Sequence, residues 1–243
     1  MLAGREKITL ENEAGQLIKI EHSEILNPDS GDLLEITQRF PFHDQTDYIY
    51  VTTDHYVYEP QFSFQGYRYI KISGLKGELN PGQCKSVVLE TGLKDTSCFE
   101  CSDGNINRLI QNAYWSQCGN MISIPTDCPQ RDERMGWTGD AQIYALSGSY
   151  VADTYNFMRQ WMDTVRADCG ETGMSSQYCP AFVNYDLEAD DKIPHNGQSF
   201  GITWNCLVVT IPYNLYMQTG KLDIVKITLI TFMHMWIILP LLQ

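Results

Sequence analysis

Apolar and polar residues alternate with period two through much of the first hundred residues. In "GQLIKIEHSEIL", Leu17, Lys19 and Glu21 face one way, and Ile18, Ile20 and His22 face the other. "DYIYVTT" and "YVYEP" are rich in Tyr, Val and Thr. "FSFQGYRYIKISG" sets Phe62 and Phe64 on one face and breaks at Gly66. It then resumes with Tyr67, Tyr69 and Lys71 against Arg68, Ile70 and Ile72. Period-two patterning with Gly, Pro and Asp breaks predicts antiparallel strands. "LNPGQC", with Pro81 and Gly82, predicts a turn. Residues 1–97 are therefore expected to form a β-sandwich portion.

The period changes near Cys98. In "SDGNINRLIQNAYWSQCGNMISIP", Ser102 or Asp103 stands where a helix cap belongs. Ile106, Leu109, Ile110, Ala113 and Cys118 then recur at helical spacing, and Pro125 ends or bends the helix. Further on, Ile143, Leu146, Tyr150, Phe157, Trp161 and Val165 keep the same spacing. Small residues around Gly148 and the Asp153–Thr154 pair predict a turn between two helices. "LVVTIPYNLYMQTG" is a further helix, closed by Gly220. The expected class is thus all-β followed by all-α, with β-structure giving way to helical hairpins at about residue 98. No short internal repeat and no Gly/Ser-rich linker is evident.

Composition narrows the function classes. With 43% hydrophobic and 19% charged residues, the chain reads as globular. A net charge of -13 with no Lys/Arg cluster argues against a nucleic-acid partner and a polybasic membrane patch. The 14 Tyr and 5 Trp suit either a large core or sugar-stacking surfaces. Eight cysteines at irregular spacing read as buried free thiols of a reducing compartment. Cys98 and Cys101 form a C-x-x-C, but no second pair stands at zinc-finger spacing, and His22 and His55 lie far off. No metal site and no cofactor is expected. "MLAGREKITLENEAGQ" has no apolar core of signal-peptide type, so the expected location is cytoplasmic.

One stretch departs from all this. "DCPQRDERMGWTGDAQ", Asp127 to Gln142, gathers Asp127, Asp132, Glu133 and Asp140 around Arg131 and Arg134, with Gly136, Trp137 and Gly139 between them. Pro129 and the glycines make it a loop between helices that enters a helix near Gly139. Asp140 then lies near a helix N-terminus, which favours an anion. An acid beside Trp137, Met135 and Pro129 is partly desolvated, which raises its pKa, while the arginines lower others. Such a set keeps one carboxyl protonated and others ionised, as glycoside hydrolysis requires. Two other readings stand beside it: metal binding by the acids, and an Arg–carboxylate network that only pins the loop.

The stretch closely resembles the signature of bacterial α-L-rhamnosidases, glycoside hydrolase family 78. "FSFQGYRYIKISG" is similar to the strand pair before that family's catalytic domain. "CSDGNINRLIQNAYWSQCGNMISIPTDCPQRDERMGWTGD" resembles the start of its six-hairpin (α/α)6 barrel. The likeness covers most of residues 15–220. It implies inverting hydrolysis of terminal α-L-rhamnosyl residues, with a rhamnose-containing glycoside as the partner. It implies that Glu133, in the D-E-R triplet, is the general acid. It implies sugar-binding roles for Asp127, Arg131, Trp137, Asp140 and Trp204, and support roles for Asp132 and Arg134. The alternative is a catalytically dead remnant that keeps the sugar pocket.

The chain also departs from the family. Cys206 stands where an acid often follows the position of Trp204. The family's general base is a glutamate far downstream, and Glu171 and Glu188 have no motif support for that role. The expectation is a partial β-domain at 1–97, the first part of the catalytic barrel at 98–226 and an atypical tail at 227–243. On this view the barrel is truncated, and the fragment is poorly soluble and inactive alone. "ITLITFMHMWIILPLLQ" lacks the charge of an amphipathic barrel helix, which suggests a frameshifted end. A membrane anchor is the other reading, although the run falls short of the ~18 residues of a spanning helix.

Overall fold

A computed structural model describes residues 1–34, 45–131, 133–169, 175–181 and 202–229. The chain divides into two compact units. The first comprises Met1–Thr91, Arg108–Ile122 and Cys128–Arg134, and the second Gly92–Asn107, Ser123–Asp127 and Met135–Gln243.

The first unit carries seven strands: β1 (Leu2–Glu11), β2 (Leu17–Ser23), β3 (Thr46–Tyr50), β4 (His55–Tyr58), β5 (Gln65–Tyr67), β6 (Tyr69–Ser73) and β7 (Cys84–Val88). All pair antiparallel. In one sheet β1 pairs with β4, with Ile8 opposite Tyr58. It also pairs with β5, with Ala3 opposite Gly66, and with β7, with Glu6 opposite Ser86. The other sheet has β2 at its centre. Ile20 lies opposite Asp47 of β3 and Ile72 of β6. The alternation read in "LIKIEHS" holds: Ile18, Ile20 and His22 are buried, while Leu17 is exposed. Ile8 and Leu10 from one sheet meet Ile18, Ile20, Ile49 and Val51 from the other side in a single apolar layer. Strand alternation is what makes this possible, because every second side chain leaves the sheet on the same face. The 3-10 turn Pro81–Gln83 sits where the Pro-Gly pair predicts a turn.

Helix α1 (Gly104–Asn120) starts at the predicted cap. Asp103 Oδ1 accepts the Asn105 amide at 2.8 Å. The helix does not run on to Pro125. It ends at Asn120, and the short strands β8 (Met121–Ile122) and β9 (Ile124–Pro125) follow, with Ser123 between them at φ 65°. The backbone has already left the α region before the proline is reached. Leu109 is 64% exposed, and Ile106 and Ile110 are exposed too.

The second unit holds α2 (Thr138–Val151), α3 (Tyr155–Cys169), α4 (Ile202–Asn205) and α5 (Leu207–Thr219), and residues 223–229 are helical. The α2–α3 turn falls at Asp153–Thr154, as the pattern predicts, and Asp153 Oδ1 accepts the Tyr155 amide at 3.1 Å. Helix α5 closes on Gly220 at φ 69°, whose amide reaches the Tyr216 carbonyl. Helix α3 buries Phe157, Met158, Trp161, Met162 and Val165. Helix α2 behaves differently. Its large apolar residues Ile143, Leu146 and Tyr150 point outward, Ile143 being 79% exposed. The buried side is Ala141, Ala145 and Gly148. Small residues let α5 approach closely, and α5 supplies the bulk with Leu207, Val208, Ile211 and Leu215. Among the described residues no helix is long and apolar enough to cross a membrane. Most of the apolar tail lies outside the described residues, as do Glu171 and Glu188.

Candidate active site

The motif from Asp127 to Gln142 is held in two parts, one in each unit. In the first unit, Pro129 lies against Gly66 of β5. A Cβ at Gly66 would meet the Pro129 carbonyl carbon and oxygen at 2.5 Å. Only a residue without a side chain admits that peptide, which explains the break in the β5 pattern. Arg134 fastens the same segment. Its Nη1 donates to the Phe64 carbonyl at 2.7 Å, and its Nη2 donates to Gln65 Oε1 at 3.1 Å and to Gln45 Oε1 at 3.3 Å. Its guanidinium also lies 5.0 Å from the centroid of the Phe64 ring. Arg134 has φ 37°, an uncommon conformation for a side-chain-bearing residue, so these contacts hold a strained turn.

That turn presents Glu133. Arg131 Nη2 lies 2.9 Å from Glu133 Oε2, and the Glu133 side chain is 12% exposed. Arg131 Nε also donates to Cys128 Sγ at 3.3 Å, a second anchor for the guanidinium. Arg134 braces the loop against β5 while Arg131 pairs with Glu133. Asp132 lies outside the described residues.

In the second unit, Asp127 and Met135 close a narrow loop. The Asp127 amide donates to the Met135 carbonyl at 3.2 Å, and Asp127 Oδ1 accepts the Met135 amide at 3.2 Å. The next residues zip onto the segment around Tyr178. The Cys179 amide donates to the Gly136 carbonyl at 2.9 Å, and the Thr138 amide donates to the Gln177 carbonyl at 2.7 Å. Trp137 bridges to Tyr178, and their rings meet edge-to-face with centroids 5.4 Å apart. A Cβ at Gly136 would stand 2.3 Å from the Cys179 carbonyl oxygen. Trp137 Nε1 is buried without an acceptor among the described residues, a cost that folds carry more readily at working sites than elsewhere.

Helix α2 begins directly after Trp137. Asp140 lies in its first turn and is exposed, where the helix dipole favours a carboxylate. Trp204 of α4 packs its ring on the Gly139 backbone, and Gln142 Nε2 donates to the Thr203 carbonyl at 2.6 Å. Asp127, Trp137, Asp140 and Trp204 are therefore all carried by the second unit, and Arg131 and Glu133 by the first. The props from residues 175–181 carried no sequence signal. Apart from the Tyr178 ring they are backbone groups, in a segment without periodicity.

The chain matches the family described as the bacterial alpha-L-rhamnosidase 6 hairpin glycosidase domain over residues 94–237. It matches the bacterial alpha-L-rhamnosidase concanavalin-like domain over residues 1–90. An alpha-L-rhamnosidase of Formosa agariphila is 34% identical over 216 residues, spanning 87% of this chain and 22% of that protein. One from Streptomyces avermitilis is 30% identical over 236 residues, spanning 97% of this chain and 22% of that protein. The chain thus spans about a fifth of the length of these relatives. Among solved structures, the alpha-L-rhamnosidase from Dictyoglumus thermophilum superposes with a TM-score of 0.82 at 32% identity, covering 96% of this chain and 25% of that one. The Streptomyces avermitilis alpha-L-rhamnosidase complexed with L-rhamnose gives 0.83 at 28% identity, covering 96% of this chain and 21% of that one. Antiparallel strands followed by helical hairpins agree with these matches, and the chain belongs to the bacterial α-L-rhamnosidase family.

Proposed function

We propose that this chain is part of a glycoside hydrolase that removes terminal α-L-rhamnose from rhamnosides with inversion at the anomeric carbon. The observation that carries the reading is Glu133, a nearly buried carboxyl in the family motif whose orientation is set by Arg131 at 2.9 Å. In this reading Glu133 protonates the glycosidic oxygen as the bond to the anomeric carbon breaks. Asp127, Arg131, Trp137, Asp140 and Trp204 bind the sugar, with carboxylates accepting from its hydroxyls and the aromatic rings lining its apolar face. Rhamnose as the sugar is supported by the similarity to the Streptomyces enzyme, which was solved with L-rhamnose.

Inversion requires a second carboxylate about 6.5–9.5 Å from the acid, with room for the attacking water. We assign that base to a part of the enzyme outside these 243 residues. The chain by itself is then inactive on rhamnosides.

The test uses this chain with its barrel completed by the downstream portion of a relative. Glu133→Gln should lower turnover of an alkyl α-L-rhamnoside by ~10²–10⁴-fold, and lower that of a 4-nitrophenyl rhamnoside less, because nitrophenolate leaves without a proton. Unchanged turnover of the alkyl substrate would remove Glu133 from the role. Proton NMR of the first product formed should show β-rhamnose, and α-rhamnose would refute inversion. Release of rhamnose by the chain alone at ~1 s⁻¹ or faster would place the base within it.

A further inference from the structure

We propose that Glu6, His22 and Asp47 form a buried site for one divalent metal ion of the zinc class, between the two sheets of the first unit. The three residues come from β1, β2 and β3. Each continues an inward-facing row: Glu6 precedes Ile8 and Leu10, His22 follows Ile18 and Ile20, and Asp47 precedes Ile49. Alternation places an apolar residue at such positions, yet the chain places three ionisable ones together at one end of the apolar layer. The side chains of Glu6 and His22 are 0% exposed.

The orientation of the imidazole is informative. His22 Nδ1 lies 2.8 Å from the Gln45 carbonyl oxygen. A carbonyl only accepts, so Nδ1 carries the hydrogen. His22 Nε2 then points at Glu6 Oε2, 2.9 Å away. A lone pair on Nε2 facing a carboxylate is unfavourable, so either a proton or a metal ion lies between them. A histidine whose far nitrogen is tied to a backbone carbonyl is the arrangement that holds metal-binding imidazoles in place.

The carboxylates lead to the same conclusion. One ligand atom from each of the three residues lies within 4.8 Å of the other two. Glu6 Oε1 and Asp47 Oδ2 are buried without a hydrogen-bond partner among the described residues. Glu6 is buried and Asp47 half-buried, and their two negative charges are costly away from water unless neutralised. A divalent cation cancels both.

Donor type selects the ion. One imidazole nitrogen and two carboxylate oxygens suit zinc, whose ligands stand about 2.0–2.2 Å from the ion and hence ~3.4 Å from one another in a tetrahedron. Calcium takes six to eight oxygens, and magnesium keeps several waters. This interior cluster offers neither. The site lies in the first unit, and an ion there would tie β1 to β2 and β3 across the sandwich.

The test is zinc titration of the full, chelator-stripped chain, read by calorimetry and thermal denaturation. One equivalent should bind with micromolar or tighter affinity and raise Tm. Cobalt(II) in place of zinc should give the intense visible bands of a four-coordinate site, one water completing the three protein ligands. His22→Gln should abolish the stoichiometric uptake, and His55→Gln, at an exposed pair with Glu11, should not. Nitrogen-15 spectra of the wild-type ring need no variant to fold: zinc-saturated His22 should carry hydrogen on Nδ1 alone. No stoichiometric uptake, uptake unaffected by His22→Gln, or a His22 ring protonated on both nitrogens in the presence of zinc would each overturn the proposal. The last result would show that imidazolium and a proton shared by the two carboxyls neutralise the cluster instead.

Discussion

Gly139 lies flat against the indole of Trp204: a Cβ built on Gly139 would fall 1.1 Å from Trp204 Cζ3 and 1.5 Å from Cε3. The first turn of α2, which carries Asp140, is therefore seated on a ring supplied by a distant part of the chain. Gly139→Ala must push the indole away or tilt the helix. Overpacking of this kind costs about 1–3 kcal/mol. Urea denaturation followed by tryptophan fluorescence should show the loss, with a changed native spectrum. An alanine variant of wild-type stability and spectrum would mean that the ring is not seated there.

Arg134 is the brace of the motif loop in the first unit, with hydrogen bonds to Phe64 and Gln65 at 2.7 and 3.1 Å. Its planar fork serves both partners at once, which an ammonium cannot do. Arg134→Lys is expected to cost about 1–3 kcal/mol, since hydrogen bonds to a charged donor are worth more than neutral ones. Arg134→Ala should cost at least as much. The measurement is the denaturation midpoint of each variant. A lysine variant as stable as wild type would show that the fork geometry is unimportant.

Trp161 is 1% exposed, and its Nε1 donates to the Cys179 carbonyl at 3.0 Å. That carbonyl belongs to the segment on which Gly136 and Trp137 are zipped. Trp161→Phe keeps an aromatic ring but leaves the oxygen without this donor, at a cost of about 1–3 kcal/mol. The lost ring volume adds to it. Hydrogen exchange should show the Cys179 amide, bonded to the Gly136 carbonyl, losing protection in the variant. Unchanged protection would separate Trp161 from the motif.

Cysteine reactivity should divide sharply. Cys98 is exposed, whereas Cys128, Cys169 and Cys179 are buried. Burial, reinforced by the Asp168 carboxylate, pushes the Cys169 thiol up to about 11. The same two causes push the Cys179 thiol up as well. The thiolate is the reactive form, so at pH 8 these two thiols are protonated as well as covered. A disulfide reagent should modify Cys98 in the folded chain, and Cys128, Cys169 and Cys179 only after denaturant is added. Mass spectrometry of the labelled peptides reads this directly. Prompt labelling of Cys179 in the native protein would contradict the structure.

Much of the architecture was legible because its signals are local. Ile18, Ile20 and His22 alternate with Lys19 and Glu21 whatever lies around them, and the pleat turns that period into a buried face. Asp103, the Asp153–Thr154 pair and Gly220 mark helix ends through bonds to their own neighbours, so the sequence suffices to place them. The acid motif is equally local, since one short stretch of sequence carries Asp127, Glu133 and Asp140. Pro125 misled because a proline bounds a helix only when nothing ends the helix sooner.

What tertiary structure alone decided are the relations between residues far apart in sequence. Gly66 and Gly139 read as breaks in a pattern. Their reasons, the Pro129 peptide and the Trp204 ring, become visible only when distant segments meet. The outward turn of Ile143 and Tyr150 reverses the usual preference, because α2 offers α5 its alanines and glycine rather than its bulk. Glu6 stands in a run of charged residues that gives no hint of burial, and His22 and Asp47 look like ordinary members of alternating strands. Only the packing of two sheets brings the three together, with Glu6 and His22 buried, where charge must be neutralised rather than solvated.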